Sequence, residues 1–104
     1  MEPIGPLQLR IMLYLWANGP STIHTVVDSF NAKPGSKRVR YTTAATVITS
    51  LVARRICSHQ QVGRQFQFTP LITRADYSKQ VLMHVCRTLF ENDTKAMSKF
   101  AAEL

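Results

Sequence analysis

Five short hydroxyl side chains, Thr42, Thr43, Thr46, Thr49 and Ser50, fall on one face of the stretch YTTAATVITSLVA when it is wound as a helix, with Ala45 and Ala53 between them. A face meant only for water is usually built from Lys, Glu, Gln and Arg, which favour the helix at little entropic cost. Threonine lowers helix propensity, so a row of them needs a reason beyond stability. Short hydroxyls and methyls let a helix come close to another polar surface. In a basic chain that surface is expected to be the DNA major groove. There Ser and Thr can bond base edges or phosphates, and Thr or Ala methyls can touch thymine. The opposite positions Ala44, Val47, Ile48 and Leu51 repeat at the i, i+3, i+4, i+7 spacing of a core-facing stripe.

Two Cys/His pairs are the other residues whose types could do chemistry. Cys57-x-His59 lies where alternation indicates a strand, so both side chains share a face and could co-ligate a metal. His84-x-Cys86 lies on a helix, where residues two apart point about 200° from each other and cannot reach one ion. A buried cysteine and a solvent-facing histidine are the simpler reading, and neither a metal site nor a cofactor is expected. No Ser-His-Asp set, carboxylate pair or phosphate-binding glycine loop stands out, so the chain does not read as an enzyme.

The elements that must position the hydroxyl face can be placed from periodicity and punctuation. A first helix is expected from about Leu7 to Ala17, with Pro6 in its first turn and Asn18-Gly19-Pro20 stopping it. Its stripe is Leu9, Met12, Leu13 and Trp16, broadened by Ile11 and Leu15. Ser21 reads as the cap of a second helix bearing Ile23, Val26, Val27 and Phe30. Pro34 and Gly35 break the loop that carries Lys37, Arg38 and Arg40. The third helix opens at Thr42 or Tyr41, with Thr42 the better cap by chemistry. After Arg55 the period falls to two, Phe66 and Phe68 alternate with glutamines, and Val62-Gly63 marks a turn with Arg64 beside it. A fourth helix is expected from Thr73 to about Glu91, with Asp76 favouring its positive end, and Thr94 can cap a short last helix.

At 104 residues this is one small domain with a short appendage at most, and a lone 70-residue unit would be of marginal stability. The net charge of +7 is uneven. Residues 1–71 hold eight basic side chains against two acidic, and residues 72–104 hold five against four. Positive potential therefore sits with the helix–hairpin half, as in a polyanion-binding unit. No stretch approaches the roughly 18 apolar residues of a membrane span, and the start MEPIGPLQLR lacks the features of a signal peptide. With Cys57 and Cys86 at no disulfide-framework spacing, a cytoplasmic protein with free thiols is expected.

The order helix, helix, helix, hairpin is that of a winged helix-turn-helix, giving a mainly α fold with a small β-hairpin. We expect a DNA-binding domain over residues 1–71 and a helical dimerisation segment over 72–104. The stripe of Tyr77, Val81, Leu82, Val85, Leu89, Phe90, Met97 and Phe100 is too apolar to face water on such helices and is expected to form a homodimer seam.

From Ile4 to Phe100 the chain also resembles the penicillinase and methicillin-resistance repressor family (BlaI/MecI-like). The pieces that carry the resemblance are LYLWANGP at 13–20, YTTAATVITSLVARRI at 41–56 and GRQFQFTPLITRADY at 63–77. It implies a bacterial, nucleoid-associated homodimeric repressor that sets its third helix in the major groove of a palindromic operator. Carried over residue by residue, the groove-facing positions are Thr42, Thr43, Ala45, Thr46, Thr49 and Ser50, and Arg64 is the wing's phosphate contact. Family members usually carry Lys or Arg at the positions of Ala45 and Ser50, so a different or weaker operator is expected here. Lys37, Arg38 and Arg40, in a longer and more basic loop, can supply the missing phosphate contacts; otherwise they form a solvated loop. Relatives continue for another helix and are induced by a membrane sensor protease that cleaves an Asn-Phe bond, whose counterpart here is Lys99-Phe100. The alternative function is a winged-helix module that binds an acidic protein without sequence-specific DNA contact.

Overall fold

The computed structural model describes residues 4–104. Five helices and one antiparallel hairpin follow in the order α1 Pro6–Asn18, α2 Ile23–Ala32, α3 Tyr41–Ala53, β1 Cys57–Val62, β2 Gln65–Pro70, α4 Arg74–Leu89 and α5 Thr94–Ala102. This is a winged helix with a helical tail. Contacts divide it into two compact units, residues 4–73 and Arg74–Leu104.

In the first unit the core is one cluster of Ile11, Met12, Leu15, Val26, Phe30, Ile48, Leu51, Cys57 and Phe68. The expected stripes of α2 and α3 go inward: Val26, Val27 and Phe30 are buried, as are Ala44, Ile48 and Leu51, with Ile23 and Val47 half-buried. On α1 the stripe is rotated from its expected centre. Ile11, Met12 and Leu15 are fully enclosed, whereas Leu13 lies 41% exposed. Residues 11, 12 and 15 enter the cluster shared with α2, α3 and the hairpin, and Leu13 lies on the far side of that arc.

Three helix caps differ from expectation. Ser21 does not cap α2, because its backbone is occupied in a bridge to the hairpin: Ser21 N–H donates to Phe68 O at 3.2 Å and Phe68 N–H to Ser21 O at 2.8 Å. Its hydroxyl donates to Gly19 O, and Thr22 takes over as cap by accepting from Thr25 N–H. At α3 the helix begins at Tyr41, and the cap position belongs to Arg40, which makes no side-chain cap bond. Thr42 is therefore already inside the helix. At α5 the cap is Asp93 rather than Thr94, its carboxylate accepting from Ala96 N–H at 3.0 Å, which suits the positive end of the helix.

The end of α3 launches the wing. Arg55 adopts a left-handed conformation (φ 59°), Arg55 N–H donates to Val52 O and Ile56 N–H donates to Leu51 O. These are the two bonds of a Schellman stop, made here without the usual glycine. The strands pair from Cys57↔Pro70 to Val62↔Gln65, leaving Gly63 and Arg64 as a two-residue loop. Gly63, at φ 63°, supplies the positive φ such a tight hairpin turn demands. Trp16 Nε1–H donates to Ile72 O at 2.9 Å and ties the segment just after β2 back to α1.

The second unit is a helix pair. α4 ends at Leu89 instead of running to Glu91, because Glu91 and Asn92 turn left-handed (φ 51° and 66°). Phe90 then packs on Phe100 at a ring separation of 5.7 Å. Among its described residues only Cys86 is fully buried.

Candidate nucleic-acid interface

The face of α3 that escapes the core presents Thr42, Thr46 and Thr49 as one exposed row, with Ala53 continuing it and Ala45 half-buried beside it. No charged or long side chain interrupts that row. Thr46 Oγ1–H donates to Thr42 O at 3.1 Å, and Thr49 Oγ1–H to Ala45 O at 2.7 Å. Such back-bonding uses up the hydroxyl hydrogens. What the row offers outward is acceptor lone pairs and methyl groups.

The two flanking hydroxyls fall elsewhere. Thr43 is exposed but lines a hollow together with Lys37, Arg38 and Arg40. Ser50 turns towards α1: Gln8 Nε2–H donates to Ser50 Oγ at 2.8 Å, and Ser50 Oγ–H donates to Val47 O. Its half-buried hydroxyl is spent inside the domain. Gln8 in turn accepts from Gly5 N–H at 2.8 Å and from Arg54 Nη1 at 3.4 Å, so one amide links the start of α1 to both Ser50 and Arg54.

The basic loop is held from two sides. Asn31 forms a paired contact with Val39, its Nδ2–H donating to Val39 O at 3.0 Å and its Oδ1 accepting from Val39 N–H at 2.9 Å. Arg10 lies over the Phe30 ring, 4.1 Å from its centroid, and donates to Lys37 O at 3.0 Å. Lys37, Arg38 and Arg40 project from this fixed loop and are exposed. At the wing, Arg64 is exposed and borders a small cleft with Thr22, His24 and Tyr41, where the His24 and Tyr41 rings stack at 4.4 Å.

Gln8, Arg10, Asn31 and the His24–Tyr41 stack were not singled out in the sequence. Each acts through contacts distant in the chain. The one available sign was a polar residue, Gln8 or Arg10, lying near the apolar stripe of α1.

Cys57 and His59 do share a face of the hairpin, but their uses differ. Cys57 Sγ is buried against Met12 Sδ at 3.3 Å, and burial pushes its thiol from 9.0 up to about 11. A neutral buried thiol is a poor metal ligand. His59 is exposed and packs edge-on to Phe66 at 5.1 Å. On α4, Cys86 is buried and His84 half-buried. Among the described residues no three His, Cys, Asp or Glu side chains gather as a metal site.

The tail leaves large apolar side chains uncovered: Leu82, Met83, Leu89 and Phe100 are each more than half exposed. Tyr77, Val81, Val85, Phe90 and Met97 are half-buried. The Lys99–Phe100 bond lies within helical α5.

The sequence model of a family described as penicillinase repressor matches residues 4–103. The chain belongs to the penicillinase repressor family. No curated protein matches it. The match spans both units, and it places this winged helix in a family of DNA-binding transcriptional repressors. Among the described residues no helix of this family member is long and apolar enough to cross a membrane.

Proposed function

We propose that the protein is a homodimeric, sequence-specific repressor that lays α3 of each copy in the major groove of a palindromic operator. The observation that carries this reading is the uninterrupted row Thr42, Thr46, Thr49 on the exposed side of α3, framed by Lys37, Arg38 and Arg40 before it and Arg64 after it. An uncharged row can approach base edges closely but supplies little affinity. The flanking cations supply that by neutralising phosphates, which carries little sequence information. With their hydrogens committed to the helix, Thr46 and Thr49 suit the amino donors of adenine and cytosine and the thymine methyl. Ala45 lies beside the row and Thr43 at its cationic flank, whereas Ser50 is left out of the reading set.

The tail supports a second copy. Leu82, Leu89 and Phe100 are too large and too exposed to be left in water, and a symmetric partner presenting the same face would cover them. Two heads then read two half-sites.

Thr46→Glu tests the reading face. A carboxylate in the middle of the row repels the groove, and because Thr46 is exposed the fold should melt as before. Loss of the mobility shift on cognate duplex with an unchanged circular dichroism spectrum is the expected result. Normal binding by Thr46→Glu would remove α3 from the interface. A protein that shifts no duplex, even at low salt, would instead be the protein-binding module.

A further inference from the structure

Beside the reading head lies a hollow of about 690 Å³ whose composition does not match a phosphate backbone. It is lined by the apolar Pro6, Leu7 and Val39 and by the cationic Arg10, Lys37, Arg38 and Arg40. A phosphate diester needs only the cations. It has no apolar group to cover Leu7 and Val39, which are half-buried and packed on the domain core. The volume falls in the range of sites for small organic ligands, and among the described residues no carboxylate lines it. The walls are preformed, because the Asn31–Val39 pair and the Arg10–Lys37 bond fix the loop against α2 and α1. Little ordering cost would accompany entry of a ligand.

We infer that this hollow is a binding site for a small organic anion with an apolar body, an aromatic carboxylate being the closest fit, and that its occupancy weakens DNA binding. The ring would rest on Leu7 and Val39 while the carboxylate meets the guanidinium of Arg38 or the ammonium of Lys37. Those cations would then be turned inward and partly neutralised, and so lost to the phosphates. Thr43 lines the same hollow and belongs to α3, which places the ligand against the reading helix itself. The effect on DNA rests on the repressor reading above; the site does not.

The test uses the full chain, labelled with ¹⁵N and titrated with 1-naphthoate, with neutral 1-naphthalenemethanol and with cationic 1-naphthylmethylamine. Naphthoate should move the amides of Leu7, Val39, Arg40 and Thr43 and saturate. The alcohol should bind about tenfold more weakly, and the amine should not bind. The double variant Lys37→Ala, Arg38→Ala should lose most of the preference for acid over alcohol, with Arg10 and Arg40 keeping the remainder, an outcome that general apolar stickiness would not give. Saturating naphthoate should also weaken binding to a labelled cognate duplex several-fold and flatten the salt dependence by about 0.9 for each phosphate contact withdrawn. Absence of shifts at millimolar naphthoate, or shifts confined to α4 and α5, would overturn the site. Saturation of the site with unchanged duplex affinity would overturn its regulatory role. If the ligand-free protein bound no duplex, the repressor reading would fail, and the amide shifts would still decide the site.

Discussion

The side-chain amide of Asn31 pairs with the backbone of Val39 through two hydrogen bonds, of 3.0 and 2.9 Å, as a neighbouring strand would. By this means a loop with Pro34 and Gly35 in it presents Lys37, Arg38 and Arg40 in fixed positions next to α3. Asn31→Ala should leave a partly buried N–H and C=O unpaired, at a cost of about 1–3 kcal/mol. In a domain of this size that lowers the melting temperature by roughly 4–8 °C for each kcal/mol. Duplex affinity should fall several-fold, because a freed loop must be ordered on binding, while the slope of log affinity against log salt stays the same. A lower slope would mean that phosphate contacts were lost outright.

Ser50 and Thr46 should separate cleanly. Ser50→Ala removes the acceptor of Gln8 Nε2 and should destabilise the domain by about 1 kcal/mol, with duplex affinity within twofold of the parent. Thermal melts and fluorescence anisotropy on one preparation decide it. A large affinity loss in Ser50→Ala without a change in melting would return Ser50 to the interface.

Much of this was legible in the chain, and the exceptions share a cause. The stripes of α2 and α3, the wing turn at Gly63 and the tail helices follow from periodicity and from residues with strong local preferences. What periodicity could not give was any role set by a distant partner. Ser21 is a good cap by type, but a bridge to Phe68 claims its backbone, so Thr22 caps instead. Ser50 belongs to the hydroxyl face by spacing, yet at the edge of that face it is Gln8, 42 residues away, that decides where it points. Leu13 is apolar and in register, yet the face of α1 turned to the core is centred on Ile11, Met12 and Leu15, which leaves it outside.

The tail makes its own prediction. Leu89 is 73% exposed, so Leu89→Glu should leave the protomer's stability within about 0.5 kcal/mol of the parent. If this face is the seam between copies, light scattering should show the mass fall from dimer to monomer, and operator affinity should drop with it. A parental dimer and a Leu89→Glu dimer of equal strength would place the seam elsewhere.

Cys57 gives a pH dependence with a definite sign. The folded thiol holds its proton up to about 11, whereas the ordinary value is 9.0. Between these values the unfolded chain binds fewer protons than the folded one, so stability falls as pH rises, by roughly 1.4 kcal/mol per pH unit from this group. Below 9.0 the group contributes no slope. Urea titrations across this window should show the parent losing stability faster than Cys57→Ala, which starts lower because of the cavity at Met12. Parallel slopes would contradict a buried, neutral thiol.

Selection of bound duplexes from a random pool by the intact protein tests the central claim most directly. We expect enrichment of a single motif made of two inverted half-sites, spaced by about one helical turn or a multiple of it. The same selection with Thr46→Glu should enrich nothing. A pool that stays random with the parent protein, or a motif without inverted symmetry, would contradict a paired reading head built on Thr42, Thr46 and Thr49.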